Sequence, residues 1–159
     1  MGSSLVIDIG SLLHAGRPIS LDDSVVIPAF GSLTFPQPAR LSLLLRREEK
    51  GVRAAGTIDV EVAGACDRCL DDVSVPIHVD VDERFDPPSG SSDPFADNNV
   101  LSGTDLDIGD LVRQLVTAAL PFGLVCKDDC RGLCALCGQS KNVGGDCRCP
   151  EMEGENGEP

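Results

Sequence analysis

The sequence predicts an α+β fold: an antiparallel β-meander or partly open barrel, one helix near 107–120, and a Cys-rich C-terminal segment. Three observations carry this. Apolar and polar residues alternate through much of the first two-thirds of the chain. Apolar residues recur once at helical spacing, between Ile108 and Ala119. Six of the eight cysteines fall between Cys126 and Cys149. At 159 residues the chain has the length of one domain.

Taken in order, Leu5 to Ile9 alternates weakly and reads as a short strand, and Ser24 to Ile27 as a second. Leu41 to Arg47 is aliphatic, and Lys50-Gly51 supplies a turn. Thr57 to Val62 alternates with period two, as a half-buried strand should. Val73 to Phe85 repeats the pattern, with Val73, Val75, Ile77, Val79 and Val81 on one face and Ser74, His78, Asp80 and Asp82 on the other. Pro76 lacks a ladder N–H and places part of this strand at an edge. Residues 86–104 are rich in Pro, Gly, Ser, Asn and Asp and read as a mobile linker. Ile108, Leu111, Val112, Leu115, Val116 and Ala119 then make one helical stripe. Thr104 or Asp107 caps its start and Pro121 stops it. The expected organisation is a strand-rich domain over 1–121, a Cys-rich segment over 122–149, and a disordered acidic tail over 150–159.

Composition excludes several function classes. Lys plus Arg is 13 and Asp plus Glu is 26, a formal net charge of −13, with no Trp or Tyr and five Phe. A generic nucleic-acid coat needs clustered cations and stacking aromatics, so it fits poorly. The charge is uneven. Arg40, Arg46, Arg47, Lys50 and Arg53 stand against Glu48 and Glu49, whereas Asp67 to Asp110 holds twelve acids against Arg68 and Arg84.

Compartment decides what eight cysteines mean. The start, MGSSLVIDIGSLLHAGRP, lacks the charged region of a secretory signal, and Val6 stands where myristoylation needs Ser or Thr. No segment approaches the roughly 20 apolar residues of a membrane span. The expectation is a cytoplasmic protein with reduced thiols, in which short, regular cysteine spacings point to metal before disulfides.

The first pair is Cys66-Asp67-Arg68-Cys69, at the tip of a strand–turn–strand. Two thiolates at that spacing grip one tetrahedral metal. Inert structural thiols and a redox pair are the competing readings. The redox reading wants a helix N-terminus to lower the thiol pKa, and here a strand follows. The second cluster comprises Cys126, Cys130, Cys134, Cys137, Cys147 and Cys149. Cys134-Ala-Leu-Cys137-Gly138 has the shape of a zinc knuckle. All-sulfur zinc is closed and tetrahedral, holding a fold rather than catalysing. So short a segment lacks a core, and metal binding would supply its folding energy. Sulfur-ligated iron lacks the regular ferredoxin spacings.

Six ligands exceed one site by two, and eight fill two sites. Either four of the C-terminal six act alone, or Cys66 and Cys69 join a C-terminal pair and staple the segment to the sheet. Cys134 and Cys137 belong to both versions. No enzyme is expected: catalytic zinc needs an open position and a nearby base. His14 and His78 lie far along the chain from the cluster, on strand or loop surfaces. Asp71-Asp72 and Asp128-Asp129 read as solvated faces. Nucleophile-elbow, Walker and dinucleotide motifs are missing.

These residues resemble a known family. Gly64-Ala65-Cys66-Asp67-Arg68-Cys69-Leu70 is similar to its CxRCL element, and Leu106 to Val112 with Leu120-Pro121 to its helix and following proline. Cys126 to Gly138, with Asn142, Cys147 and Cys149, is similar to its C-terminal signature. The family is YceD, the large ribosomal RNA subunit accumulation protein. Ala135 replaces the usual knuckle Pro, and Ser140-Lys141-Asn142-Val143 replaces the usual Asn-Leu-Asn stretch. The resemblance implies a non-enzymatic factor needed for accumulation of large-subunit rRNA in bacteria and plastids. Members are often encoded beside a small, basic ribosomal protein, and some lack the C-terminal cluster, so zinc is not the activity itself.

The expected partner is therefore a basic large-subunit ribosomal protein, the rRNA, or both, with no membrane and no small-molecule substrate. Opposite net charge speeds encounter with a basic protein. The Arg40–Arg53 stretch and Lys127, Arg131, Lys141 and Arg148 either touch phosphate locally or are ordinary solvated surface. The alternatives are a metal-stabilised interaction module unrelated to ribosomes and a thiol-redox protein using Cys66 and Cys69.

Overall fold

The computed structural model describes residues 5–88, 99–101, 103–144, 147 and 149. The elements run β1 (Val6–Asp8), α1 (Gly10–Ala15), β2 (Ile19–Val25), β3 (Ala39–Glu48), β4 (Gly51–Ala65), β5 (Asp72–Asp86), β6 (Asn99–Val100), β7 (Asp105–Asp107) and α2 (Ile108–Ala119). The chain divides into two compact units: Met1–Ala63 with Ser74–Pro121, and Gly64–Val73 with Phe122–Pro159.

In the first unit, β2 to β6 form one open sheet in sequence order, and β1 pairs with β7 in a two-stranded ribbon. The meander follows from its alternation. Leu41, Leu43 and Leu45 of β3 are buried; Ser42 between them and Arg40 and Arg46 on either side are exposed, and Leu44 is half-buried. Leu43 lies opposite Leu21 on one side and Gly56 on the other. The apolar face joins Ile58, Val60, Val81 and Phe85 to Ile9, Leu12, Ile108, Val112 and Val116 in one core. Sheet on one side and helices on the other is how a one-faced antiparallel sheet buries its apolar residues. The Asp107 side chain accepts the Asp110 N–H at 2.9 Å, leaving Asp107 rather than Thr104 as the cap of α2.

Several details differ from the sequence reading. The sheet is open, which decides between meander and barrel. Helix α1 was not anticipated, because six residues are too few to show a helical period; it carries His14, which is therefore not on a strand or loop. The second strand begins at Ile19 rather than Ser24. Glu49 at φ 49° and Lys50 form the β3–β4 turn, and Gly51 already pairs with Glu48. Within 86–104, Asp86 ends β5, and Asn99–Val100 pairs in parallel with Phe85–Asp86. The remainder of that segment at 89–98 and 102, and the tail at 150–159, lie outside the described residues. The hairpin tip Gly64–Val73 groups with the Cys-rich segment rather than with the strand-rich unit. Pro76 lies in β5 away from Phe85 and Asp86, the residues with which β6 pairs among those described, in keeping with an edge.

His78 Nδ1 stands 2.6 Å from Asp59 Oδ1, and Nε2 is 3.5 Å from Asp80 Oδ1. The hydrogen bond to Asp59 raises the imidazole pKa above its ordinary 6.5. A raised folded pKa stabilises fully below the unfolded value, and the gain is lost as pH rises through the folded one. His78→Gln is therefore expected to lower the melting temperature at about pH 5.5 and to leave it unchanged at about pH 9. Thermal melts at the two pH values check this; equal shifts would refute it.

Candidate metal centres

The second unit is built around sulfur. Cys66, Cys69 and Cys130 are buried and pack with Val73 and Leu133. The same turn occurs twice. In Cys66–Leu70, the Leu70 N–H donates to Cys66 O at 2.9 Å, and the Arg68 N–H faces Cys66 Sγ at 3.4 Å. In Cys134–Gly138, the Gly138 N–H donates to Cys134 O at 2.9 Å, and the Leu136 N–H faces Cys134 Sγ at 3.4 Å. The fifth residue is left-handed in both, at φ 63° for Leu70 and 72° for Gly138. Glycine adopts this freely, whereas for leucine it costs roughly 1–2 kcal/mol. Both CxxC pairs are thus knuckles, with sulfurs on one side and N–H groups aimed at the leading sulfur.

The turns bring the cysteines into two groups of four. Cys66, Cys69, Cys126 and Cys130 form one and Cys134, Cys137, Cys147 and Cys149 the other, with all four sulfurs of each within 4.8 Å of one another. Of the two arrangements left open by spacing, the hairpin pair therefore joins a C-terminal pair, and the other four residues close a second site. Cys66 and Cys130 sulfurs are 3.8 Å apart, and Cys69 and Cys126 sulfurs 3.6 Å apart. A disulfide requires about 2.05 Å. Zinc with Zn–S bonds of about 2.3 Å holds its tetrahedral sulfurs about 3.8 Å apart. The donor set and its spacing fit such an ion, with Cys66, Cys69, Cys126 and Cys130 as one ligand set and Cys134, Cys137, Cys147 and Cys149 as the other.

Supporting residues position the first set. The Cys126 N–H faces Cys66 Sγ at 3.3 Å, and the Asp67 N–H donates to Leu124 O at 2.8 Å. The Arg68 guanidinium donates to Asp128 O at 3.1 Å and Cys130 O at 3.4 Å. The Asn142 amide donates to Cys130 Sγ at 3.2 Å. Sequence reasoning missed the roles of Arg68 and Asn142. A charged residue inside a CxxC turn, and an amide between ligand pairs, were the available signals.

The thiols divide in acidity. Burial pushes Cys66 up, but the N–H groups of Cys126, Cys69 and Arg68 outweigh it and bring the thiol down to about 6. The Asn142 amide lowers Cys130. The Asp71 N–H lowers Cys69, but burial, the Asp71 carboxylate at 3.1 Å and the neighbouring sulfurs win and raise it. Burial raises Cys126. In the other cluster the N–H groups of Cys137 and Leu136 bring Cys134 down to about 6. The Cys134 sulfur raises Cys147, and Cys137 pushes Cys149 up to about 12. Each cluster thus favours the thiolate at some positions and disfavours it at Cys69, Cys126, Cys147 and Cys149. A bound dication supplies the charge that lets four thiolates share one site.

The described residues contain no helix long and apolar enough to cross a membrane. A family model described as "Large ribosomal RNA subunit accumulation protein YceD" matches residues 54–157. Proteins of Mycobacterium tuberculosis and Mycobacterium bovis, both named as uncharacterized, are 32% identical over 147 residues, covering 87% of this chain and 71% of theirs. An uncharacterized Mycobacterium leprae protein is 32% identical over 107 residues, covering 65% of this chain and 49% of its own. No solved structure matches. The matched span contains β5, α2 and every cysteine of both clusters, and the chain belongs to the YceD family, named for accumulation of large-subunit ribosomal RNA.

Proposed function

We propose that this protein is a non-enzymatic zinc-binding factor in large ribosomal subunit biogenesis. It supports accumulation of large-subunit rRNA from the cytoplasm by binding a basic ribosomal protein. The observation that carries this reading is the sorting of all eight cysteines into two four-sulfur clusters in a chain of this family. Four-cysteine zinc leaves no open position for substrate, so its part is to hold the second unit in a binding shape.

Charge favours protein over RNA as the first partner. The chain carries −13. Of the basic stretch, Arg53 is already matched by Asp82 at 2.6 Å and Glu48 at 3.2 Å, and Arg40 lies opposite Asp59. Arg68 spends its guanidinium on backbone carbonyls, and Lys127 is 3.8 Å from Asp129. Arg148 lies outside the described residues. Full burial of Cys66 also disfavours the thiol-redox alternative, since exchange needs access to the attacking sulfur.

Depletion is expected to lower the ratio of large- to small-subunit rRNA, with rescue by the wild-type chain and not by Cys66→Ser/Cys69→Ser. An unchanged ratio would refute the ribosomal role. Capture with purified protein is expected to retain a basic large-subunit ribosomal protein at low salt and lose it at high salt. Retention of rRNA alone would make RNA the partner.

A further inference from the structure

We propose that the two thiolate clusters take up metal cooperatively, and that Asn142 is the positioning residue through which the second cluster strengthens the first. The inference rests on the metal reading above and concerns its regulation. The clusters share a short piece of chain: Cys130 belongs to one, Cys134 to the other, and Arg131, Gly132 and Leu133 lie between.

After the knuckle the backbone returns along that piece. Leu133 bridges Ser140, the Cys134 N–H donates to Gln139 O at 2.8 Å, and the Lys141 N–H donates to Gly132 O at 2.9 Å. The return delivers Asn142 to the first cluster. Its Nδ2 donates to Cys130 Sγ at 3.2 Å, while its Oδ1 accepts the Arg131 N–H at 2.9 Å. By position Asn142 belongs to the loop between Cys137 and Cys147, which the second cluster closes. By contact it serves a sulfur of the first.

The energetic consequence follows. An ion on Cys134, Cys137, Cys147 and Cys149 ties both ends of that loop, so the entropy of ordering Asn142 is spent in loading the second cluster. The amide then meets Cys130 already placed, and an N–H donated to an anionic sulfur is a charge-assisted bond. Reciprocity requires the first cluster to strengthen the second by the same factor.

Cobalt(II) titration of the full chain against a competing chelator, read by thiolate-to-cobalt absorption, tests this. Cys147→Ser/Cys149→Ser isolates the first cluster and is expected to weaken its cobalt affinity about tenfold. Cys66→Ser/Cys69→Ser should weaken the second by the same factor. Asn142→Ala should weaken the first cluster by a similar factor in the otherwise unchanged chain, yet by less than about twofold once Cys147 and Cys149 are serine. Asn142→Asp keeps an acceptor for the Arg131 N–H but sets a carboxylate against Cys130, and should weaken the first cluster further than alanine does. The cobalt spectrum of the second cluster in both Asn142 variants reports that the knuckle is folded. Two cobalt ions bound with affinities indifferent to the other cluster would overturn the coupling alone. An equal Asn142→Ala effect in both backgrounds would overturn the role of Asn142. A wild-type chain that takes up no cobalt would overturn the metal reading and the coupling with it.

Discussion

Stripping metal from the purified chain is expected to release about two zinc ions and to unfold Gly64–Val73 together with the chain from Phe122 to Cys149. The buried cluster there is Cys66, Cys69 and Cys130 with Val73 and Leu133 packed against it, far too few apolar residues to offset the entropy of ordering the segment. Structural zinc contributes on the order of 10–16 kcal/mol in small isolated sites, so its loss dominates every other term in this unit. The sheet of the first unit has its own core and is expected to keep its strand signal. Elemental analysis gives the stoichiometry, and hydrogen exchange before and after chelation gives the order. Cys66→Ser/Cys69→Ser is expected to lose one ion and to release the hairpin tip. Cys69, Cys126, Cys147 and Cys149 hold their protons above the ordinary thiol range, so uptake must expel protons and weakens as pH falls. A metal-free chain that keeps full exchange protection over 122–144 would refute the account.

Gly56→Ala in β4 is expected to destabilise the first unit by roughly 3 kcal/mol or more, read as a lowered denaturation midpoint. Two costs add. Gly56 sits at φ 154°, a conformation nearly closed to residues with a Cβ. A Cβ there would stand 2.0 Å from the Ser42 carbonyl oxygen and 2.9 Å from Leu43 Cα. Both obstacles are β3 backbone, which cannot give without breaking the β3–β4 ladder. A midpoint within error of wild type would show that the strands separate here at little cost.

Legibility in the sequence followed the range of the interactions. Thr57 to Val62 and Val73 to Phe85 announced strands because alternation is a property of neighbours two residues apart. Helix α2 announced itself through its apolar stripe, while the choice of Asp107 over Thr104 as its cap came from the structure. Helix α1 and β6 did not, being too short to carry a period. The two-residue β6 exists because Phe85 and Asp86 offer it a parallel partner, which no local pattern records.

The candidate site divides the same way. Composition and spacing by themselves pointed to metal before disulfides, to Cys134 and Cys137 standing together, and to a strand–turn–strand carrying Cys66 and Cys69. Tertiary structure alone decided that the hairpin pair meets Cys126 and Cys130, leaving Cys147 and Cys149 to the knuckle, and that Asn142 reaches a sulfur of the other set. The reason is physical. Spacing within a turn is set by a few dihedral angles, whereas which of several equally suitable sulfurs converge across some sixty residues depends on the path of the whole chain.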